Sequence, residues 1–144
     1  MQLLVVGAGE MGRWFARHSG ADAVAFADRD PATARAAADI GDARAVDLDT
    51  DETFDAVCLA VPMSATPAAI GTHAGRASEA VVDVAGEMRD AVAALRTHAE
   101  GLERASFHPL FSASNAPGNV PVVVDRAGPT VDRLRAALEA AGNE

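Results

Sequence analysis

Short apolar runs recur along the chain, and most are followed by a stretch with apolar residues at helical spacing. The runs are Leu3–Val6, Val24–Ala27, Ala56–Val61, Ala80–Val84, Ala105–Phe107 and Val122–Val124, with a weaker one at Arg44–Val46. Their continuous apolar character, rather than strict alternation, predicts strands covered on both faces. Between them the pattern lengthens to a helical period. Asp30-Pro31 reads as an N-cap acid followed by proline at the first helical position, opening an alanine-rich helix that runs to Ile40 and stops at Gly41. Thr66-Pro67 predicts another helix start by the same device, and Glu87 to His98 reads as helical. The last helix carries Val131, Leu134 and Leu138 on one face and ends near Gly142. Strands alternating with helices predict an α/β chain, with a doubly wound, mostly parallel sheet in three layers, and one domain over residues 1–144.

Directly after the first run stands Gly7-x-Gly9-x-x-Gly12, and Arg13 to His18 continues as a helix. Strand, glycine turn and helix together are the setting of a dinucleotide fingerprint, which makes the expected fold a Rossmann domain. Each glycine has its own reason. Gly7 makes the tight turn, Gly9 lets the backbone approach a pyrophosphate, and Gly12 lets the helix lie close on the strand. The helix N-terminus then offers N–H groups and partial positive charge to the phosphates. Asp28 ends the second strand about 20 residues on, where a ribose-binding carboxylate belongs. This acid argues against a purely structural glycine turn. Ligands of open α/β sheets bind outside the carboxyl ends of the strands. The expected cofactor-binding set is therefore Gly7, Gly9, Glu10, Met11, Gly12, Asp28, Arg29, Val61 and Pro62. Asp28 favours NAD, while the Arg29 guanidinium could pair with the 2′-phosphate of NADP.

Composition narrows the partners. A net charge of −9 disfavours nucleic acid and anionic membranes, because phosphates would be repelled. All 12 basic residues are arginine, a bias that a salt-rich cytoplasm and GC-rich codons would each produce. The 49% hydrophobic content leans on alanine, so the core is expected to rest on small residues packing closely. Cys58 lies inside an apolar run and reads as a buried core residue. The first strand begins at once, without a signal peptide, and no apolar run is long enough to span a membrane. The expectation is a soluble cytoplasmic protein.

The strand-end rule also selects Asp83-Val84-Ala85-Gly86 and His108. His108 follows a strand and precedes proline, which favours an extended backbone there. Its unperturbed pKa of roughly 6.5 suits a general base at neutral pH. A strand-capping hydrogen bond is the competing role for it. The remaining histidines form no ligand set: His18 and His98 sit near helix ends, and His73 is expected to lack a partner. Ser64 and Thr66 read as helix caps, since no Gly-x-Ser-x-Gly elbow surrounds them. Trp14 reads as core packing. The acidic run from Asp47 to Asp55 reads as a solvated connection and not as a metal site.

Leu3–Val6 with the glycine turn, Ala60-Val61-Pro62, Val82-Asp83-Val84 and His108-Pro109-Leu110-Phe111 together resemble the cofactor domain of the prephenate and arogenate dehydrogenase family. His-Pro-Leu-Phe after the sixth strand is the discriminating piece. The resemblance implies oxidative decarboxylation of prephenate, or of arogenate, with NAD or NADP as acceptor, on the route to tyrosine. It also implies that His108 bonds the ring hydroxyl whose carbon loses hydride. The chain departs from the family pattern in three ways. Ala85-Gly86 and Met88 replace a Gly-Ser pair and a following lysine, Ser112 replaces a glycine, and the family's C-terminal helical domain, which completes the pocket and the dimer, is expected to be absent. A homo-oligomer or a partner chain could supply that wall. Other readings are a small dehydrogenase or reductase of the β-hydroxyacid or pyrroline-carboxylate type, and a non-catalytic dinucleotide-binding module.

Overall fold

The computed structural model describes residues 1–85 and 88–144. The sequence expectations for Gly86 and for the helix start at Glu87 lie outside the described residues. Seven strands form one sheet: β1 (Gln2–Val6), β2 (Ala23–Ala27), β3 (Arg44–Ala45), β4 (Phe54–Leu59), β5 (Ala77–Asp83), β6 (Glu103–Phe107) and β7 (Val122–Arg126). Their order is β3-β2-β1-β4-β5-β6-β7. All neighbours are parallel except β6 and β7, which pair antiparallel at the edge. This is the expected doubly wound α/β fold, with the order reversing between β1 and β4.

The strands are apolar on both sides because helices cover both. Leu3 and Val5 of β1, Ala56 and Cys58 of β4, and Ala80 and Val82 of β5 join one core, together with Phe15 of α1 (Glu10–His18), Ala34 and Ala37 of α2 (Pro31–Ile40), and Leu134 of α5 (Pro129–Ala140). Leu4, Val6, Val57, Leu59 and Val81 face the other way, against Ile70 of α3 (Thr66–His73) and Leu95 of α4 (Met88–His98). Burying each large side chain contributes about 1.5–3 kcal/mol. Three alanines, Ala34, Ala37 and Ala38, make the whole buried face of α2, so that helix packs by close approach. Cys58 is fully buried, as expected of a core residue, and burial and the nearby Asp83 raise its thiol pKa.

Local chemistry explains most boundaries. Asp30 caps α2 as expected, accepting the Ala32 N–H at 3.0 Å. The Thr66 expectation needs correction. Ala65 occupies the cap position without a side-chain bond, and Thr66 lies inside the first turn, where its hydroxyl donates back to the Pro62 carbonyl at 3.3 Å. A 3-10 turn over Met63–Ala65, Ser64 included, precedes the helix and shifts its start. His73 also differs from expectation: it is buried and hydrogen-bonds the Arg76 guanidinium. That partner sits in the turn closing the same helix, a contact that residue spacing alone did not disclose. β4 opens earlier than the apolar run implied, at the buried Phe54, and ends at Leu59, so Ala60 and Val61 already belong to the loop. Among the described residues, no helix is long and apolar enough to cross a membrane.

Candidate functional site

Among the described residues, those singled out at strand ends stand along the carboxyl edge of the sheet. The turn after β1 is held from both sides. Gly7 N–H donates to the Ala27 carbonyl at 2.8 Å, and Ala60 N–H donates to the Val6 carbonyl at 2.7 Å. Gly7 has φ of +102°, and a Cβ there would lie 2.2 Å from the Ala60 carbonyl oxygen. No residue with a side chain fits that place. A Cβ on Gly12 would lie 1.9 Å from the Gly7 carbonyl oxygen, because α1 leans directly on the turn.

Gly9 is different. It is exposed, its backbone is extended (φ −76°, ψ −166°), and a Cβ there would meet nothing within 4 Å. The protein itself does not require glycine at this position, which opens on free space beside the N-terminus of α1. Gly9 caps that helix without any side-chain bond, as Ala65 does for α3, whereas α2 is capped by Asp30 and the first amides of α5 by Glu103. An uncapped N-terminus beside open space fits a phosphate-bearing group. Glu10 is exposed and Met11 partly buried in the first turn of α1.

Asp28, at the end of β2, is already engaged. One carboxylate oxygen accepts the Ala8 N–H at 2.9 Å and the other accepts the Asp30 N–H at 2.9 Å. It therefore ties the glycine turn to the β2 exit, and each oxygen keeps a further lone pair for a ribose hydroxyl. Arg29 beside it is exposed, as is Pro62 beyond β4, while Val61 is partly buried. Sequence reasoning did not pick out Arg13, whose Nε donates to the Gly9 carbonyl at 3.3 Å.

The second half of the edge is built from side chains. His108 leaves β6 with its N–H on the Pro121 carbonyl at 2.8 Å, and Leu110 N–H is held by the Asn119 carbonyl at 3.0 Å. Phe111 then packs edge-on against Trp14 with ring centroids 5.3 Å apart. Trp14 is buried, as expected of a core residue. These contacts explain why histidine and phenylalanine share one short motif: the phenylalanine anchors the segment that presents the histidine. His108 Nδ1 lies 2.9 Å from the Ala85 carbonyl oxygen. A carbonyl only accepts, so Nδ1 carries the hydrogen, and the neutral ring keeps its lone pair on Nε2.

Beneath this pair lies Asp83, fully buried at the end of β5 and in register with Ser106 of β6. Burial raises its carboxyl pKa to about 6, against bonds from Ala85 N–H and the Ser106 hydroxyl that lower it. The strand-end rule had pointed to Asp83. Ser106 was missed, although a serine inside an otherwise apolar strand was a usable signal.

The family model described as NADP oxidoreductase, coenzyme F420-dependent, matches residues 2–87. Curated protein sequences yielded no match. Among solved structures, the chain is similar to prephenate dehydrogenase from A. aeolicus, in complex with hydroxyphenyl propionate and NAD+. That similarity has a TM-score of 0.79 at 19% identity, covering 100% of this chain and 58% of that one. Arogenate dehydrogenase from Synechocystis gives 0.75 at 18%, covering 100% and 58%. The 3-hydroxyisobutyrate dehydrogenase from Salmonella typhimurium gives 0.70 at 22%, covering 98% and 53%. The chain thus spans less than two thirds of the length of these relatives in fold.

Proposed function

The chain is an NAD(P)-binding Rossmann domain that belongs to the coenzyme F420-dependent NADP oxidoreductase family, and from that premise we propose that it serves a dehydrogenase of the prephenate or arogenate type, with His108 as the base. The observation that carries this reading is the His108 ring, held at Nδ1 by the Ala85 carbonyl, with its Nε2 lone pair unengaged among the described residues at the sheet's carboxyl edge. Residues Gly7 to Gly12 would hold the pyrophosphate and Asp28 and Arg29 the adenosine ribose, with Val61 and Pro62 beside the cofactor. The dinucleotide supplies the hydride acceptor when bound. His108 Nε2 takes the proton of the substrate hydroxyl as hydride leaves the same carbon, and loss of the ring carboxylate as carbon dioxide completes the aromatic ring. The rest of the substrate pocket comes from a helical domain or from a partner chain. Asp28 favours NAD over NADP.

The test is turnover of prephenate with NAD by this chain, alone and with candidate partner proteins, compared with His108→Asn. The variant is expected to bind cofactor normally and to lose roughly two to four orders of magnitude in turnover, the usual size of a general-base contribution. Unchanged turnover would leave His108 a strand-capping residue.

A further inference from the structure

The mechanism proposed above uses His108 and leaves unexplained the most costly feature beneath it, a carboxyl group buried completely at the end of an apolar strand. An apolar side chain at position 83 would continue the Val81-Val82 run without the desolvation that a carboxylate brings. The group is nonetheless there, and its contacts are one-sided. Oδ1 accepts the Ala85 N–H at 3.0 Å and the Ser106 hydroxyl at 2.9 Å. Oδ2 has no hydrogen-bond partner among the described residues. Asp83 therefore acts on the backbone two residues beyond it, with Ser106 steadying the same oxygen from the neighbouring strand.

Ala85 is where that backbone meets the site. Its N–H is fixed by Asp83, and its carbonyl oxygen accepts from His108 Nδ1. Fixing one side of a residue restricts the direction of the other. We propose that Asp83 is a positioning residue that sets the tautomer and tilt of the His108 ring through the Ala85 backbone. Without that anchor the Ala85 carbonyl is free to turn, and the imidazole loses the acceptor that keeps its hydrogen on Nδ1. A ring with its hydrogen on Nε2 presents a donor where the reaction needs an acceptor. The bond pattern also assigns Ser106 a part, as the hydroxyl that orients the carboxyl plane.

The inference rests on the reading of His108 as the base, yet its test observes the ring itself and involves no turnover. The full chain with 15N-labelled histidine reports which ring nitrogen bears hydrogen, at a pH where the ring is neutral. Wild type is expected to show His108 as a single tautomer with hydrogen on Nδ1. Asp83→Asn keeps an acceptor oxygen and is expected to keep that signature. Asp83→Leu, confirmed folded by its melting transition and by unchanged NAD binding, is expected to lose it and show a mixture. If leucine prevents folding, Asp83→Ala reads the same loss. A wild-type ring with hydrogen on Nε2 overturns the inference, and so does a folded variant lacking the acceptor but retaining the Nδ1–H signature. His108→Asn turnover, measured separately, decides the parent reading.

Discussion

The two ends of the sheet's carboxyl edge are built by opposite means. At the β1–α1 turn, backbone alone makes the site: Gly7 and Gly12 are demanded by contacts within the protein, while Gly9 opens on free space. At the β5 and β6 ends, side chains make it, through Asp83, Ser106 and His108 joined by the Ala85 backbone. The difference separates tolerance from function. A glycine whose missing side chain would collide with its own protein is needed for folding, whereas Gly9 faces no such demand. A buried carboxyl carries a cost in stability that a backbone turn does not.

The largest expected effect lies at the protein-facing glycines. Gly12→Ala places a methyl 1.9 Å from the Gly7 carbonyl oxygen, a backbone atom, so the turn or α1 must shift. The expected loss is at least about 3 kcal/mol, a large share of a typical domain's stability. Urea unfolding checks it, and an unchanged midpoint would mean that α1 does not lean on the turn.

The carboxyl at the other end predicts a pH dependence of no larger size. Asp83 titrates at about 6 in the folded chain, against 3.8 for an ordinary aspartate. Between those values the folded state holds a proton that the unfolded state has released. Its contribution to stability is therefore present below about pH 4 and lost as pH rises through about 6, a swing of about 3 kcal/mol. Asp83→Asn removes the swing. Subtracting the two stability curves isolates it from the other carboxylates, and parallel curves would show that Asp83 titrates normally.

The smallest effect is at Asp28. Its two oxygens hold the Ala8 and Asp30 amides, so Asp28→Ala loosens the turn as well as removing the proposed ribose acceptor. Any preference for NAD over NADP is expected to narrow by about tenfold, or ~1.4 kcal/mol. Tighter binding of NADP by the wild type would mean that Arg29 outweighs Asp28.

The same contrast explains what could be seen in the sequence. The glycine turn was legible because its requirements are local: three spacings, one strand before and one helix after. The parallel α/β class followed from alternating elements, and the Asp30 cap from its neighbour Pro31. The Asp83–Ser106 and Ala85–His108 contacts each join residues 23 apart in the chain. Only the pairing of β5 with β6 brings them together, and a single sequence does not state register. Thr66 was misplaced because the short turn over Met63–Ala65 has no composition of its own, and His73 because its partner Arg76 lies past the helix end.

The measurement that bears most directly on the account is calorimetric titration of NAD into wild type and Gly9→Val, paired with their melting curves. Gly9 already has an extended backbone, and a Cβ there meets no protein atom within 4 Å. The variant is expected to melt with the wild type and to show no binding heat, because its side chain fills the space reserved for the pyrophosphate. Unchanged NAD affinity in a normally folded Gly9→Val would contradict the site.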